Sequence, residues 1–120
     1  MINIGRNEIL FEALSTEVSI LSSKVDRINI FLKDSNLLLE IDLRILYNEN
    51  EFLKLIFSGI REYSFYHNSD YLFYNVEEYK FLRSNGLYYL SFDPEVNSMN
   101  EVSENDGDFV LSENIEGYIY

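Results

Sequence analysis

The 120-residue chain has no cysteine, which excludes disulfides, thiolate metal centres and a cysteine nucleophile. His67 is its single histidine, so mechanisms built on two imidazoles and metal triads built on two histidines are also excluded. It falls in a polar loop, His67 to Asp70, and reads as ordinary surface. The glycines, Gly5, Gly59, Gly86, Gly107 and Gly117, never cluster, so there is no phosphate loop and no nucleotide cofactor is expected. No run reaches the roughly 18 apolar residues of a membrane span. Glu8 and Glu12 interrupt the stretch where a signal peptide would be apolar. The expectation is an unexported, soluble, cytoplasmic protein with no cofactor, no metal and no membrane partner.

The most informative absence is of one charge. After Arg83 there is no lysine or arginine, while Asp93, Glu95, Glu101, Glu104, Asp106, Asp108, Glu113 and Glu116 follow. Of the formal net charge of -12, -8 therefore resides in the last 37 residues. A field of that sign repels nucleic acid and anionic membrane and attracts a basic surface over a screening length of about 10 Å. Yet hydrophobic residues make up 47% and aromatics 16%, too many for a disordered acidic chain, so the charge is read as surface on a folded object. The length fits a single domain spanning residues 1–120.

The spacing of Ile9, Leu10, Ala13 and Leu14 predicts a short helix from Glu8 to Leu14, capped by Asn7. From Lys24 the period becomes two. One strand runs to Leu32, a turn follows at Lys33 to Asn36, and Leu37, Leu39, Ile41, Leu43 and Ile45 then share one face opposite Glu40, Asp42 and Arg44. After the polar break Asn48 to Glu51 a further strand begins at Leu53 and continues to Tyr66, with Gly59 marking a bulge or kink. Val76, Tyr79 and Lys80 would also suit a helix, but Val76 to Arg83 and Leu87 to Phe92 read better as a hairpin about Asn85-Gly86, a pair that tolerates the positive φ of a tight turn. Asp93-Pro94 stops the ladder, a polar segment runs from Glu95 to Asp108, and Phe109 to Leu111 and Ile115 to Tyr120 give one or two last short strands. The fold class is α+β, a mainly antiparallel β-sheet with a short N-terminal helix.

No catalytic set emerges. Val102 to Glu113 matches a calcium loop at Glu104, Asp106, Gly107 and Glu113, but Val102 stands where the first ligand must be Asp, and no amphipathic helices flank it. Carboxylate pairs such as Glu77-Glu78 and Asp106-Asp108 carry no signal in a chain with 21 acids. Eleven aromatics lie between Tyr63 and Phe92 and are assigned mostly to the core; exposed tyrosines would serve as interface anchors.

The stretch EYKFLRSNGLYYLSFDP, residues 78–94, and the later SENDGDFVLSENIEGYI, residues 103–119, resemble small acidic bacterial proteins of the immunity-protein type found in polymorphic and contact-dependent toxin systems. The resemblance runs from about Ile28 to the C-terminus and consists of a hydrophobic skeleton, Asp93-Pro94 and an acidic tail. It implies a cytoplasmic, non-catalytic protein that binds and blocks a cognate basic toxin. The contact residues expected on that reading are Glu101, Glu104, Asp106 and Asp108, with Tyr88 or Tyr118 as anchors. Two other readings are a structural subunit that dimerises through an exposed edge at Ile115 to Tyr120, and a small-ligand binder or enzyme built around an apolar pocket.

Overall fold

In the computed structural model, residues 1–16, 19–45, 51–70 and 74–120 are described. They form strand β1 (Ile2–Arg6), helix α1 (Glu8–Thr16), and strands β2 (Lys24–Lys33), β3 (Asn36–Arg44), β4 (Phe52–Ser64), β5 (Lys80–Ser84), β6 (Leu87–Asp93) and β7 (Gly107–Ile119). The fold is α+β, with one antiparallel sheet in the order β2-β3-β4-β7-β6-β5 and β1 paired to β7. No described helix is long and apolar enough to cross a membrane. Asn48, Glu49 and Asn50 of the expected polar break, and Tyr71 and Phe73 among the aromatics, lie outside the described residues.

The alternation read in β3 sets the core. Leu39, Ile41 and Leu43 pair across to Phe57, Leu55 and Leu53, and these in turn to Ile115, Gly117 and Ile119 of β7. All six on β3 and β4 are fully buried. The turn between β2 and β3 places Asp34 and Ser35 at φ 51° and 67°, and that between β5 and β6 places Asn85 and Gly86 at 52° and 78°, the paired positive values that match strand twist in two-residue hairpins.

β7 is the axis of the sheet. From Phe109 to Ile119 it pairs with β4 on one side, while the other side is shared between β6, at its start, and β1, at its end. Ile115 to Ile119 is therefore interior, which closes off the edge proposed for dimerisation. The one or two short strands expected here are one strand of 13 residues. Its buried positions are even-numbered as far as Ser112 and odd-numbered from Ile115, so the phase of burial changes midway. On β4, Gly59 has φ 62°, and the register to β7 shifts between Ile60 and Glu62. A Cβ on Gly59 would come within 2.8 Å of the Glu113 Cβ.

The two ends of the sheet approach each other. Asn75 bridges Lys24, and the Val25 amide donates to the Tyr74 carbonyl at 2.7 Å, at the outer edge of β2, only a few residues before β5 begins at the opposite end of the strand order. Val76 to Tyr79, expected as strand, thus belongs to the connection, and β5 starts at Lys80.

At the N-terminus β1 was not anticipated, and Asn7 does not cap the helix with its side chain. Its Oδ1 accepts from the Ile115 amide at 2.9 Å and its own amide donates to the Ile115 carbonyl at 2.8 Å, continuing the β1–β7 ladder by one step. α1 runs two residues beyond Leu14, with the Ser15 and Thr16 hydroxyls donating back to the Phe11 and Glu12 carbonyls. Leu10 lies over Gly117, where an added Cβ would fall 2.5 Å from Leu10 Cδ1 and 3.2 Å from Ile4 Cγ1. Gly117→Ala therefore forces α1 off the sheet or Leu10 out of its rotamer, and is expected to cost about 1–3 kcal/mol in urea unfolding. An unchanged unfolding midpoint would mean that the helix is not seated on this residue.

Candidate functional site

A lysine and an aspartate, both with fully buried side chains, form the most constrained polar site among the described residues. Lys80 opens β5 and Asp106 immediately precedes β7. The Lys80 ammonium donates to both carboxylate oxygens, at 2.8 and 3.0 Å, and to the Glu101 carbonyl at 2.7 Å. Asp106 accepts three more bonds, from the Tyr89 hydroxyl at 2.7 Å, the Glu95 amide at 2.7 Å and the Ser103 amide at 2.9 Å. Burial acts to raise the carboxyl pKa, but the ammonium, the two amides and the phenol together hold it below the ordinary carboxylate range. Burial and the bond to Asp106 push the Tyr89 phenol well above its ordinary value.

These contacts shape residues 94–106 into an arm. Pro94 is buried, Glu95 turns its own side chain to accept from the Asn97 amide at 3.2 Å, and a single 3₁₀ turn, Val96–Ser98, carries the chain out and back. Glu95 and Ser103 are then fixed to one carboxylate, and the Glu101 carbonyl to the ammonium. Between the arm and the sheet is a cleft of about 420 Å³, floored by Tyr89, Phe109 and Leu111 and flanked by Glu62 and Glu104.

The six residues expected at a partner surface divide into two groups. Glu101 and Glu104 are exposed on the arm, and Tyr118 is half-buried on β7. Asp106, Asp108 and Tyr88 are buried, which is a correction to their expected role as contacts. Asp106 is the clamp just described. Asp108, at φ 47°, accepts from the Tyr66 amide at 2.8 Å and ties the chain after β4 to the start of β7. The Tyr88 hydroxyl donates to Glu8 at 3.0 Å, and its ring lies 6.4 Å from that of Phe11, so it docks α1 on β6. Burial and the Glu8 carboxylate raise the Tyr88 phenol. Tyr118 donates to Glu116 at 2.6 Å, and that bond raises its phenol.

The acidic third is less uniform than its sequence. Glu116 pairs with Arg6, and Glu113 with Arg61 at 2.8 Å, both cations coming from the part of the chain before residue 84. Within residues 84–120, the exposed acids that form no ion pair among the described residues are Asp93, Glu101 and Glu104, all on the arm or at its root. The calcium-loop lookalike does not fold as a loop between helices: Asp106 is engaged by Lys80, and Gly107 to Glu113 is strand. Among the described residues no group of three His, Asp or Glu is placed to hold a metal ion.

A second polar cluster lies on β3, β4 and the C-terminal residue. Lys54 is 3.5 Å from Glu40 and 3.8 Å from Asp42, whose side chain is buried with Oδ1 unpaired by any hydrogen bond. Tyr120 stacks on Phe52 at 5.6 Å, and burial together with Asp42 pushes its phenol up to about 12. Lys80 was not singled out from the sequence as a site residue. The signal available was a lysine between Tyr79, Phe81 and Leu82, one hairpin away from Tyr89.

No known protein family, no curated protein and no solved structure matches the chain.

Removing one partner of a buried pair strands the other, so Asp106→Asn and Lys80→Met are each expected to cost about 3–5 kcal/mol in urea unfolding, whereas Glu101→Gln costs little. The folded-state pKa of Asp106 lies below its unfolded value. Its contribution is therefore complete above the unfolded carboxylate pKa and is lost as pH falls through the depressed folded value. The gap in stability between wild type and Asp106→Asn should be constant from about pH 5 to 8 and shrink below roughly pH 4. A gap that widens on acidification would contradict the assignment.

Proposed function

We propose that the chain is a non-catalytic protein-binding domain, a cytoplasmic immunity-type inhibitor of a cognate basic bacterial toxin, and that the arm is the element that meets the partner. One observation carries this reading: Glu101 and Glu104 are exposed, form no ion pair among the described residues, and stand on backbone fixed by a fully buried carboxylate. Such acids keep their field for an incoming cation, and a fixed backbone reduces the entropy lost when they are ordered against it. The cleft beside them adds an apolar floor of Tyr89, Phe109 and Leu111, on which the aliphatic stem of a lysine or arginine can lie while its head reaches Glu62 or Glu104. The sequence resemblance to acidic immunity proteins supports the same class of partner.

The test is capture of a basic protein from the source cells, or of the product encoded beside this chain, on the tagged protein at low and high salt, followed by rate measurements with the purified partner. Glu101→Lys with Glu104→Lys is expected to slow association by about ten- to a hundredfold and to flatten its salt dependence, with dissociation changed much less. Equal association rates for the double variant and the wild type would remove the arm from the interface. A stoichiometric partner that stays bound regardless of salt would point to the apolar contacts instead.

A further inference from the structure

All nine basic side chains are among the described residues, and six of them form ion pairs with acids. The three that form none among the described residues, Lys24, Arg27 and Lys33, lie on one strand, β2. In a protein of net charge -12, three cations without an ion pair among the described residues fall on a single strand, although Arg27 stands across the ladder from Asp42.

That strand is also the open end of the sheet. The inner side of β2 is laddered to β3 from Lys24↔Arg44 to Lys33↔Asn36. Its outer side is partnered only at Lys24 and Val25, by Asn75 and Tyr74; from Asp26 to Lys33 it has no ladder partner among the described residues. Leu32 is 71% exposed there and Ile30 36%. Beside the open stretch is a cleft of about 350 Å³, with Ile28 and Ile30 on the strand side and Phe65, His67 and Tyr74 opposite.

Edge amides and carbonyls without a ladder partner among the described residues, next to an apolar cleft, are the components of strand addition, in which main-chain bonds supply affinity and a pocket for an alternate side chain supplies selectivity. Charge decides the occupant. A second copy pairing through β2 would bring one cationic strand against another, an arrangement disfavoured across a ladder and used by edge strands to prevent self-association. We propose that the outer edge of β2 from Asp26 to Lys33 binds an extended acidic segment of a partner protein. The segment adds as a further strand, its carboxylates meet Arg27 and Lys33, and one apolar side chain enters the cleft. This site is separate from the arm, opposite to it in charge, and does not depend on the reading of the arm.

The probe is a labelled synthetic peptide of about ten residues alternating Glu with Val and Phe, followed by fluorescence anisotropy at low and high salt. Two controls accompany it: the same peptide with Lys for Glu, and the acidic peptide with proline at alternate positions, which cannot complete a ladder. The acidic peptide is expected to bind and the controls to fail. Arg27→Glu with Lys33→Glu is expected to weaken binding at least roughly tenfold, while Glu101→Lys with Glu104→Lys does not weaken it. Arg27 and Lys33 have no ion pair among the described residues to lose, so the variant should fold, and the neutral pair Arg27→Gln with Lys33→Gln should give an intermediate loss. Equal binding of the proline peptide, or binding unaffected by both β2 variants, would overturn the proposal. So would a dimer in light scattering that the β2 variants disrupt, because it would place a second copy on the edge.

Discussion

The buried contact between Lys80 and Asp106 is the constraint on which the acidic part of the molecule depends. Taking two charges out of water costs several kcal/mol for each, and the cost is recovered only when every remaining donor and acceptor is well paired. Here the ammonium meets both carboxylate oxygens and a carbonyl, while the carboxylate also receives a phenol and two amides. The bonds reach four separate stretches of chain: the start of β5, the middle of β6, both limbs of the arm and the residue before β7. A segment whose composition alone would make it loose is held at two points by one side chain.

The same economy of cations organises the rest of the surface. Arg6 and Arg61 neutralise Glu116 and Glu113 along β7, and Arg83 meets Glu8 beside Tyr88 where α1 docks. With these pairs made, exposed negative charge in the last third without an ion pair among the described residues is concentrated on the arm, and the basic side chains without one are on β2 at the far end of the strand order. β7 separates the two regions: it lies between β4, which leads through β3 to β2, and β6, which leads to β5. The result is two surfaces of opposite sign on one sheet, each beside a cleft with apolar walls.

Much of the sheet was readable because one face of it is core and the other is wet. The alternation from Leu37 to Ile45, the glycine at Gly59 and the Asn85-Gly86 turn each have a direct physical counterpart in the structure. The full length of β7 is not legible in the sequence because its buried positions change phase between Ser112 and Ile115, and a two-residue period cannot be followed through such a change. β1 escaped notice because it is five residues long and runs straight into a helix whose signal dominates. The buried carboxylate was harder still. In the run Glu104-Asn105-Asp106-Gly107-Asp108 nothing local distinguishes the acids that fold inward from the one that stays in water; the distinction is made by Lys80, 26 residues before Asp106, and by the Tyr66 amide that meets Asp108.

If the arm is a fixed scaffold, its backbone must exchange hydrogen as slowly as the sheet does. The most direct measurement is amide hydrogen exchange on the free protein, read at Glu95 and Ser103, whose N–H groups donate to Asp106. The account predicts protection at both amides comparable to that of the central β7 amides, set by opening of the clamp rather than by local fraying. Exchange at the rate of an exposed loop, with β7 still protected, would mean that the arm moves independently of the buried pair and would contradict the claim that Asp106 holds Glu101 and Glu104 in place.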